Sequence, residues 1–313
     1  MTIQLSSSCL EIIGTHELTT ADSALDALEV LGDPETGPID CFMLDIQMPG
    51  MDGIELAKRI RETSRHSDTP ILMLTAMSDK RYIDGAFAAG ATDYVTKPFE
   101  IAELTSRIKM VEGLAQDRQL RTKKIFAAKS VADQTSHVEL FEPISIYDVD
   151  NVIEYTAMEN YVAQLSRSAL FGSTTFAFTI REIDAFHAAL SAFEFYSLIS
   201  DVAEVLSDTL VGHQFLMSYA GNGTFVCITE SGWRPDMRGL MDQVNFELSQ
   251  TELFDNHGER IHPRVSAGAA VRLIWKSGSS VMDALAQAHS SAEEASLAHT
   301  RSLTNFWDVD QRA

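Results

Sequence analysis

Three polar side chains in the first hundred residues stand where they could carry out phosphoryl chemistry. Asp45, Thr75 and Lys97 each come at the end of a short apolar run that is typical of a β-strand. Because ligands gather at the carboxyl ends of the strands in a parallel sheet, we expect these groups to converge. Asp45 would then be the nucleophile, and Thr75 and Lys97 would hold the anionic phosphoryl oxygens. A chance occurrence of polar residues at strand ends is the alternative.

A regular order of helices and strands must bring these side chains together. Helical patterns alternate with strand-like runs along the chain, at 23–31, 39–44, 53–61, 70–74, 79–89 and 93–96. Alternation at this pace predicts an α/β domain, in which a parallel sheet carries helices on both faces.

The residues around the three positions resemble the receiver domain of two-component response regulators. Residues 45–53, with the sequence DIQMPGMDG, are close to that family's phosphoacceptor loop. Residues 73–76 (MLTA) and 94–99 (YVTKPF) match its next two signatures in order and spacing. The resemblance spans residues 1–115 and implies a flavodoxin-like, doubly wound parallel sheet.

The resemblance also implies roles for individual residues. Asp45 would accept phosphate from a histidine kinase or another signalling protein. Thr75 and Tyr94 would rearrange on phosphorylation. Lys97 would contact the phosphoryl group and precede a cis Pro98.

The sequence departs from the family pattern before Asp45. The first strand of the family ends in two adjacent acids that hold Mg²⁺, and no adjacent acidic pair precedes Asp45. Residues 5–13 are predicted to form the first helix and residues 16–20 the second strand, which leaves no room for a first strand of ordinary length. Another segment, such as one from a partner chain, would fill that place in the sheet. A sequence that begins downstream of the natural start is the alternative.

The loss of these acids weakens the predicted metal site. Only the Asp45 carboxylate and the backbone carbonyl of Gln47 remain for Mg²⁺, and a hard dication needs several oxygen ligands. We therefore predict weak Mg²⁺ binding and slow or absent phosphorylation of Asp45. A conventional receiver that is phosphorylated on Asp45 is the alternative.

A long helical pattern follows the predicted receiver. Apolar residues step along it by three and four positions: Ile101, Leu104, Ile108, Val111 and Ala115. This spacing is typical of a coiled-coil seam. A helix over 100–127 would be about 42 Å long at about 1.5 Å per residue. We assign residues 100–139 to a connecting helix and linker, and predict a homodimer through the receiver and this helix.

Residues 140–313 have a different pattern, which predicts an α+β domain. The predicted strands and helices lie at 174–180, 200–210, 215–219, 224–228, 265–271 and 280–298. The Asn-Gly pair at 222–223 stands between two apolar runs and is a strong hairpin signal. This order resembles the GGDEF diguanylate cyclase domain.

This sequence has different residues at the functional positions of that family. The hairpin residues Gly221, Asn222, Gly223, Thr224 and Phe225 fall where the signature Gly-Gly-Asp-Glu-Phe belongs. Gly223 and Thr224 replace its two acids, and Asn222 replaces its second glycine. Glu182 replaces the first metal-binding Asp and could still coordinate a metal, and Leu190 falls where the family reads guanine with Asn. Without the acids, two-metal phosphoryl transfer loses most of its transition-state stabilisation, so we expect no cyclase activity.

The composition excludes further classes of function. The chain has 45 acidic and 24 basic residues and a formal charge of −21, which argues against binding to nucleic acid or to anionic lipid. No apolar run reaches the length of a membrane span, and residues 1–6 lack the basic start of a signal peptide. A cytoplasmic location is the expectation.

Together these patterns predict a bacterial protein of the phosphorelay type. A receiver at 1–115 would be joined by a connecting helix to a degenerate GGDEF-like domain at 140–313, which acts through protein–protein interaction and not as an enzyme. The expected cofactors are none, apart from weakly bound Mg²⁺. A divergent diguanylate cyclase is the alternative.

Overall fold

A computed structural model gives the structure of the protein. It describes residues 18–76, 79–111, 113, 139–147, 149–164, 170–255, 257–273 and 281–310, without the side chains of 164 and 303–310. The chain divides into two compact units, Met1–Phe126 and Ala127–Ala313. Across the described residues, we find no helix with the length and hydropathy needed to cross a membrane.

The N-terminal unit alternates helices with strands, as the sequence predicts. Its elements in chain order are α1 (Ala24–Gly32), β1 (Phe42–Asp45), α2 (Gly53–Glu62), β2 (Ile71–Thr75), α3 (Lys80–Ala88), β3 (Asp93–Thr96) and α4 (101–111). The strands form a parallel sheet in the order β1-β2-β3, in which Phe42 lies opposite Ile71 and Leu72 opposite Asp93. The predicted parallel sheet is confirmed.

Local capping interactions explain where the helices of this unit begin. The side chain of Ser23 accepts a hydrogen bond from the backbone N–H of Asp26 at 3.1 Å, and that of Asp52 accepts one from Glu55 at 2.8 Å. These contacts satisfy N–H groups that have no partner inside the first turn of a helix. The strands between the helices are almost entirely buried, which explains their continuous apolar sequence.

Helix α4 packs on its own sheet, which differs from the predicted coiled-coil seam. Leu104 and Ile108 belong to a core cluster with β-strand residues that include Leu72 and Val95, and Val111 is completely buried. Steps of three and four residues also describe the apolar face of any helix that covers a sheet. Ile101 is 43% exposed, whereas Ala115 and the rest of the predicted connecting helix lie outside the described residues.

The predictions about the start of the receiver also fall on residues that are not described. The predicted helix at 5–13 and the first part of the predicted strand at 16–20 belong to this segment, as does the place of a first strand. Of the N-terminal unit, the described residues begin at Leu18, ahead of α1.

The C-terminal unit is built on an antiparallel sheet. Its elements in chain order are α5 (Tyr155–Gln164), β4 (Thr174–Ile180), α6 (Ile183–Ala189), α7 (Ala192–Leu210), β5 (Phe215–Tyr219), β6 (Thr224–Thr229), α8 (Met237–Gln250), β7 (Leu253–Phe254), β8 (Arg260–Ile261), β9 (Val265–Ala267), β10 (Val271–Arg272) and α9 (Val281–Asp310). The strand order is β10-β4-β6-β5, with β9 also paired to β4. Strands β7 and β8 form a separate two-stranded sheet.

The two faces of strand β4 have different partners. Phe176, Phe178 and Ile180 belong to the main core together with residues of α7 and α8, such as Phe195 and Val244. Thr175, on the alternate face of the strand, is fully buried, and its hydroxyl donates to the Ala284 carbonyl of α9 at 3.4 Å. Strand β4 is therefore covered on both sides, which explains its unbroken apolar pattern.

Three predicted elements of the C-terminal unit differ from the structure by more than one residue. The predicted strand 265–271 is two strands, β9 and β10. Between them Gly268 still donates its backbone N–H to the Ala177 carbonyl of β4 at 3.0 Å and lies against α9, where a Cβ would be 2.6 Å from the Ala292 nitrogen. The predicted helix 200–210 begins earlier, after a capping box formed by Ser191 and Glu194. The predicted helix 280–298 continues to Asp310.

Candidate functional site

The candidate site of the N-terminal unit is centred on Asp45, the last residue of β1. Its Oδ2 atom contacts the Lys97 ammonium in a hydrogen-bonded ion pair, and its Oδ1 atom accepts the backbone N–H of Gln47 at 3.0 Å. The side chain of Asp45 is 12% exposed and that of Lys97 is 29% exposed. Both carboxylate oxygens are thus held by the protein at a position that solvent can still reach.

The register of the parallel sheet brings the predicted residues to one end. Asp45 lies opposite Leu74, and Thr75 lies opposite Thr96. The backbone N–H of Lys97 then donates to the Thr75 carbonyl at 2.6 Å. Thr75 is fully buried. The peptide bond between Lys97 and Pro98 is cis, as the resemblance to receivers implies.

Gly53 allows helix α2 to approach the end of β1. A Cβ atom at this position would lie 2.2 Å from the Asp45 carbonyl oxygen, a distance that no side chain can adopt. The backbone N–H of Gly53 donates to the Ile46 carbonyl at 3.1 Å and closes the loop that carries Gln47. The last glycine of the predicted phosphoacceptor loop is therefore required by backbone packing.

Tyr94, the predicted switch residue, points into the unit. The residue is 6% exposed, and its ring meets the Phe87 ring edge to face, with 6.0 Å between the centroids. Burial raises the pKa of the Tyr94 hydroxyl. A rearrangement of Thr75 and Tyr94 on phosphorylation stays a prediction.

An ion pair beside Tyr94 was missed by the sequence analysis. The Arg107 guanidinium lies 3.0 Å from the fully buried carboxylate of Asp93, whose other oxygen accepts the backbone N–H of Tyr94 at 2.8 Å. This pair ties α4 to the strand that leads to Lys97. An acid in an otherwise apolar strand is the signal that could have predicted a buried partner.

Arg61 was also missed, and it joins two loops, the α2–β2 and the α3–β3 connections. Its guanidinium donates to the Gly90 carbonyl at 2.7 and 3.1 Å, to the His66 carbonyl at 3.1 Å and to the Thr69 carbonyl at 2.5 Å. A side chain at Gly90 would collide with it, because a Cβ there would lie 2.7 Å from the Arg61 Nε atom. These contacts support the sheet from the end of α2 and do not reach Asp45.

The predicted metal ligands do not form a metal site among the described residues. Asp45 and Gln47 lie together, but no group of three or more His, Cys, Asp or Glu side chains in this part of the chain could hold a metal ion. Glu182 belongs to the other unit, where it is exposed and adopts a left-handed conformation with φ of 56° before α6. A contribution of Asp45, Gln47 or Glu182 to Mg²⁺ binding stays a prediction.

The hairpin predicted in the C-terminal unit is present. Strands β5 and β6 pair with Tyr219 opposite Phe225, and the chain turns at Gly221–Gly223. Three backbone N–H groups of the turn donate to the protein: Asn222 to the Leu140 carbonyl at 2.7 Å, Gly223 to the Tyr219 hydroxyl at 3.0 Å, and Thr224 to the Gly221 carbonyl at 2.9 Å.

The side chains of the hairpin also have structural partners. The Asn222 amide donates to the Glu293 carboxylate of α9 at 2.6 Å, and the Thr224 hydroxyl forms a buried 2.9 Å hydrogen bond with the Thr179 hydroxyl. Gly223 packs on Ile183, so that a Cβ there would lie 2.8 Å from its side chain. Leu190 follows α6 and packs against the main core. In this unit the residues at the predicted signature positions serve packing.

Comparison with known proteins identifies the N-terminal unit. Residues 1–109 match the family model of the response regulator receiver domain. Residues 1–109 are a receiver domain. Its Asp45–Lys97 ion pair and its Lys97–Pro98 cis bond lie in the segments on which the sequence resemblance rests.

Two curated relatives of this chain are response regulators. The chain is 31% identical over 131 residues to the cyclic di-GMP phosphodiesterase response regulator RpfG of Xanthomonas campestris pv. campestris, covering 42% of this chain and 35% of that protein. It is 42% identical over 104 residues to the heme response regulator HssR of Staphylococcus epidermidis, covering 32% of this chain and 41% of that protein. The chain thus spans less than half the length of these two relatives.

One solved structure is similar to part of this chain. The crystal structure of a putative response regulator from Chloroflexus aurantiacus J-10-fl is 33% identical, with a TM-score of 0.32, and the match covers 36% of this chain and 94% of that one.

Proposed function

We propose that this protein is a two-component signalling protein whose C-terminal unit acts through protein–protein contacts and has no catalytic activity. The receiver domain supports the signalling role, since its Asp45–Lys97 pair is placed at the carboxyl end of the sheet. The single observation that supports a non-catalytic output is the β5–β6 hairpin, in which the positions of the cyclase signature are used for packing.

The side chains of the hairpin argue against two-metal catalysis. Gly223 has no room for a carboxylate, because even a Cβ would collide with Ile183. The Thr224 hydroxyl is occupied by its buried contact with Thr179. A diguanylate cyclase needs acids to neutralise the transferring phosphoryl group, and neither residue is an acid.

The backbone of the hairpin argues against a triphosphate cradle. A loop that binds phosphate leaves its N–H groups directed at the ligand. Here the N–H groups of Asn222, Gly223 and Thr224 donate to the protein itself. The Leu140–Phe141 segment also lies against the turn, since a Cβ on Gly221 would be 2.4 Å from the Phe141 carbonyl oxygen.

An activity assay tests this proposal. The full chain is incubated with GTP and either Mg²⁺ or Mn²⁺, with and without acetyl phosphate, and cyclic dinucleotide is measured by mass spectrometry. We expect no product, whereas an active diguanylate cyclase in a parallel sample supplies the positive control. Any cyclic dinucleotide above the no-enzyme level would favour the divergent cyclase.

We further propose that Asp45 is the phosphoacceptor for a histidine kinase and that it reacts slowly. The Lys97 ammonium and the Gln47 N–H already hold its two oxygens, while the described residues supply too few ligands for tight Mg²⁺ binding. Metal neutralisation is a large part of phosphoryl transfer, so a weak metal site slows the reaction.

Acetyl phosphate and Mg²⁺ test this second proposal. Intact-mass measurement should show a small fraction of phosphorylated chain that is absent in Asp45→Asn, while a receiver with a complete acidic pair reacts fully in the same time. Stoichiometric phosphoaspartate on Asp45 would instead support the conventional receiver.

We also propose that the chain forms a homodimer through the receiver domain and the connecting helix. Ile101, on α4, is 43% exposed and offers an apolar contact. Light scattering after size exclusion should give twice the 34.5 kDa chain mass. Ile101→Glu should shift the distribution towards the monomer, and the exposed control Lys109→Gln should not. A monomer at all concentrations would contradict this proposal.

A further inference from the structure

Two arginines of the C-terminal unit lie side by side at the ends of β4 and β9. The backbone N–H of Arg181, just after β4, donates at 2.7 Å to the carbonyl of Arg264, just before β9. Among the described residues, no carboxylate forms an ion pair with either side chain. The arrangement is unusual for a chain that has 45 acidic residues and a formal charge of −21.

The Arg181 guanidinium is held in place by neutral groups. Its Nε atom donates to the Ser266 hydroxyl at 2.9 Å, its Nη1 atom to Nε2 of His299 at 2.9 Å, and its Nη2 atom contacts the Met241 sulfur at 3.9 Å. Because an arginine can only donate, His299 accepts through Nε2. The guanidinium carries more N–H groups than these three acceptors use.

The surroundings of Arg181 disfavour its positive charge. Burial, together with the neighbouring charge of Arg264, lowers the pKa of Arg181, although the guanidinium stays protonated at neutral pH. Burial, followed by the charges of Arg181 and Arg264, lowers the pKa of His299, while the charge of Glu182 opposes them. Glu182 is exposed and forms no ion pair with either arginine in the described structure. Arg181 is only partly exposed, and a bound anion stabilises a positive charge that is partly withdrawn from water.

We infer that Arg181, Arg264, Ser266 and His299 form a binding site for a phosphate group. A guanidinium with N–H groups in one plane binds two oxygens at once, and a second adjacent cation matches the double charge of phosphate better than the single charge of a carboxylate. The fixed contacts to Ser266 and His299 orient the Arg181 fork before a ligand arrives. This inference is independent of the proposed function, since it uses neither Asp45 nor the β5–β6 hairpin.

An NMR titration that follows the side chain of His299 tests this inference. The full-length chain is labelled at histidine with ¹³C, and the resonance that is missing from the spectrum of His299→Gln is assigned to His299. Inorganic phosphate is then added at constant pH and ionic strength. We expect a saturable shift of this signal. Arg264→Gln should weaken phosphate binding by about tenfold, the usual effect of removing one charge-assisted contact.

A matched arginine controls for surface charge. Arg272 is exposed on β10 of the same sheet, and Arg272→Gln should leave phosphate binding unchanged. A shift that does not saturate, or an Arg264→Gln variant that binds as the natural chain does, would overturn the inference. Arg264 is exposed, so its replacement keeps the test valid even if Arg181→Gln fails to fold.

A nucleotide arm distinguishes the source of the phosphate group. Guanosine 5′-monophosphate and adenosine 5′-monophosphate are titrated against the same His299 signal. Binding no tighter than that of inorganic phosphate indicates that the free ion is the ligand. Tighter binding of either nucleotide indicates a nucleoside phosphate, and loss of that binding in Arg264→Gln places it at this site.

Discussion

The Nη1 atom of Arg107 lies 3.0 Å from the Oδ2 atom of Asp93, whose side chain is completely buried. Because removal of one partner leaves a buried charge without its counterion, Arg107→Gln should lower the free energy of unfolding by about 1–3 kcal/mol. Lys109→Gln, at an exposed position of the same helix, is the matched control and should change it little.

The distribution of tryptophan allows this loss to be assigned to one unit. All three tryptophans, Trp233, Trp275 and Trp307, belong to the C-terminal unit. For Arg107→Gln, the midpoint of urea unfolding measured by far-UV circular dichroism should therefore fall. The midpoint measured by tryptophan fluorescence should remain unchanged. Equal midpoints for Arg107→Gln and Lys109→Gln would show that the ion pair contributes nothing.

The close approach of α2 to β1 predicts opposite effects for two glycines of the receiver domain. Gly53→Ala places a Cβ 2.2 Å from the Asp45 carbonyl oxygen and should cost about 2 kcal/mol or more. Gly85 lies inside α3, where a Cβ would meet only the Ile54 side chain at an ordinary 3.5 Å. Gly85→Ala should therefore stabilise the receiver by about 0.5 kcal/mol through helix propensity. Far-UV circular dichroism melts measure both, and an unchanged melt for Gly53→Ala would contradict the geometry.

His66 predicts a loss of receiver stability at acidic pH. Its ring is buried against Phe42, and burial, followed by the charge of Arg65, lowers its pKa in the folded protein. In the unfolded chain a histidine has a pKa of about 6.5, so the unfolded state takes up the proton first as the pH falls. The contribution of neutral His66 to the free energy of unfolding is therefore complete above the unfolded-state pKa. It is lost as the pH falls through the lower pKa of the folded protein.

The pH dependence of unfolding measures this contribution. Between about pH 7 and pH 5, the free energy of unfolding should fall less steeply in His66→Gln than in the natural chain. His257→Gln, which changes an exposed histidine of the other unit, should retain the original slope. The same slope in both variants would assign the acid sensitivity to other groups.

At Gly223 of the hairpin, we expect a side chain to lower the free energy of unfolding through a steric clash as well as through its left-handed backbone conformation. Gly223 and Gly258 have similar positive φ angles, 71° and 77°. A Cβ on Gly223 would lie 2.8 Å from the Ile183 side chain, whereas a Cβ on Gly258 would have no contact within 4 Å. Gly258→Ala should cost about 1 kcal/mol for the left-handed backbone, and Gly223→Ala clearly more. Urea unfolding followed by tryptophan fluorescence measures both, and equal costs would mean that Ile183 yields freely.

The sequence alone determined the elements of the receiver domain and most of its candidate site. Asp45, Thr75 and Lys97 end apolar runs, and parallel strands place their carboxyl ends at one edge, so the Asp45–Lys97 contact follows from local pattern and one topological rule. The β5–β6 hairpin was equally predictable, because Asn-Gly between apolar runs specifies a tight turn.

Only the tertiary structure decided what each pattern packs against. The apolar spacing of α4 fits both a coiled coil and a sheet-covering helix, and burial of Leu104 and Ile108 selects the second. The contact between Arg181 and His299 joins residues 118 positions apart. The periodicity of a sequence describes only which residues share a face of one helix or one strand. The contact between Arg181 and His299 depends on how the sheet and the helix pack together, so it could not be predicted from the sequence pattern.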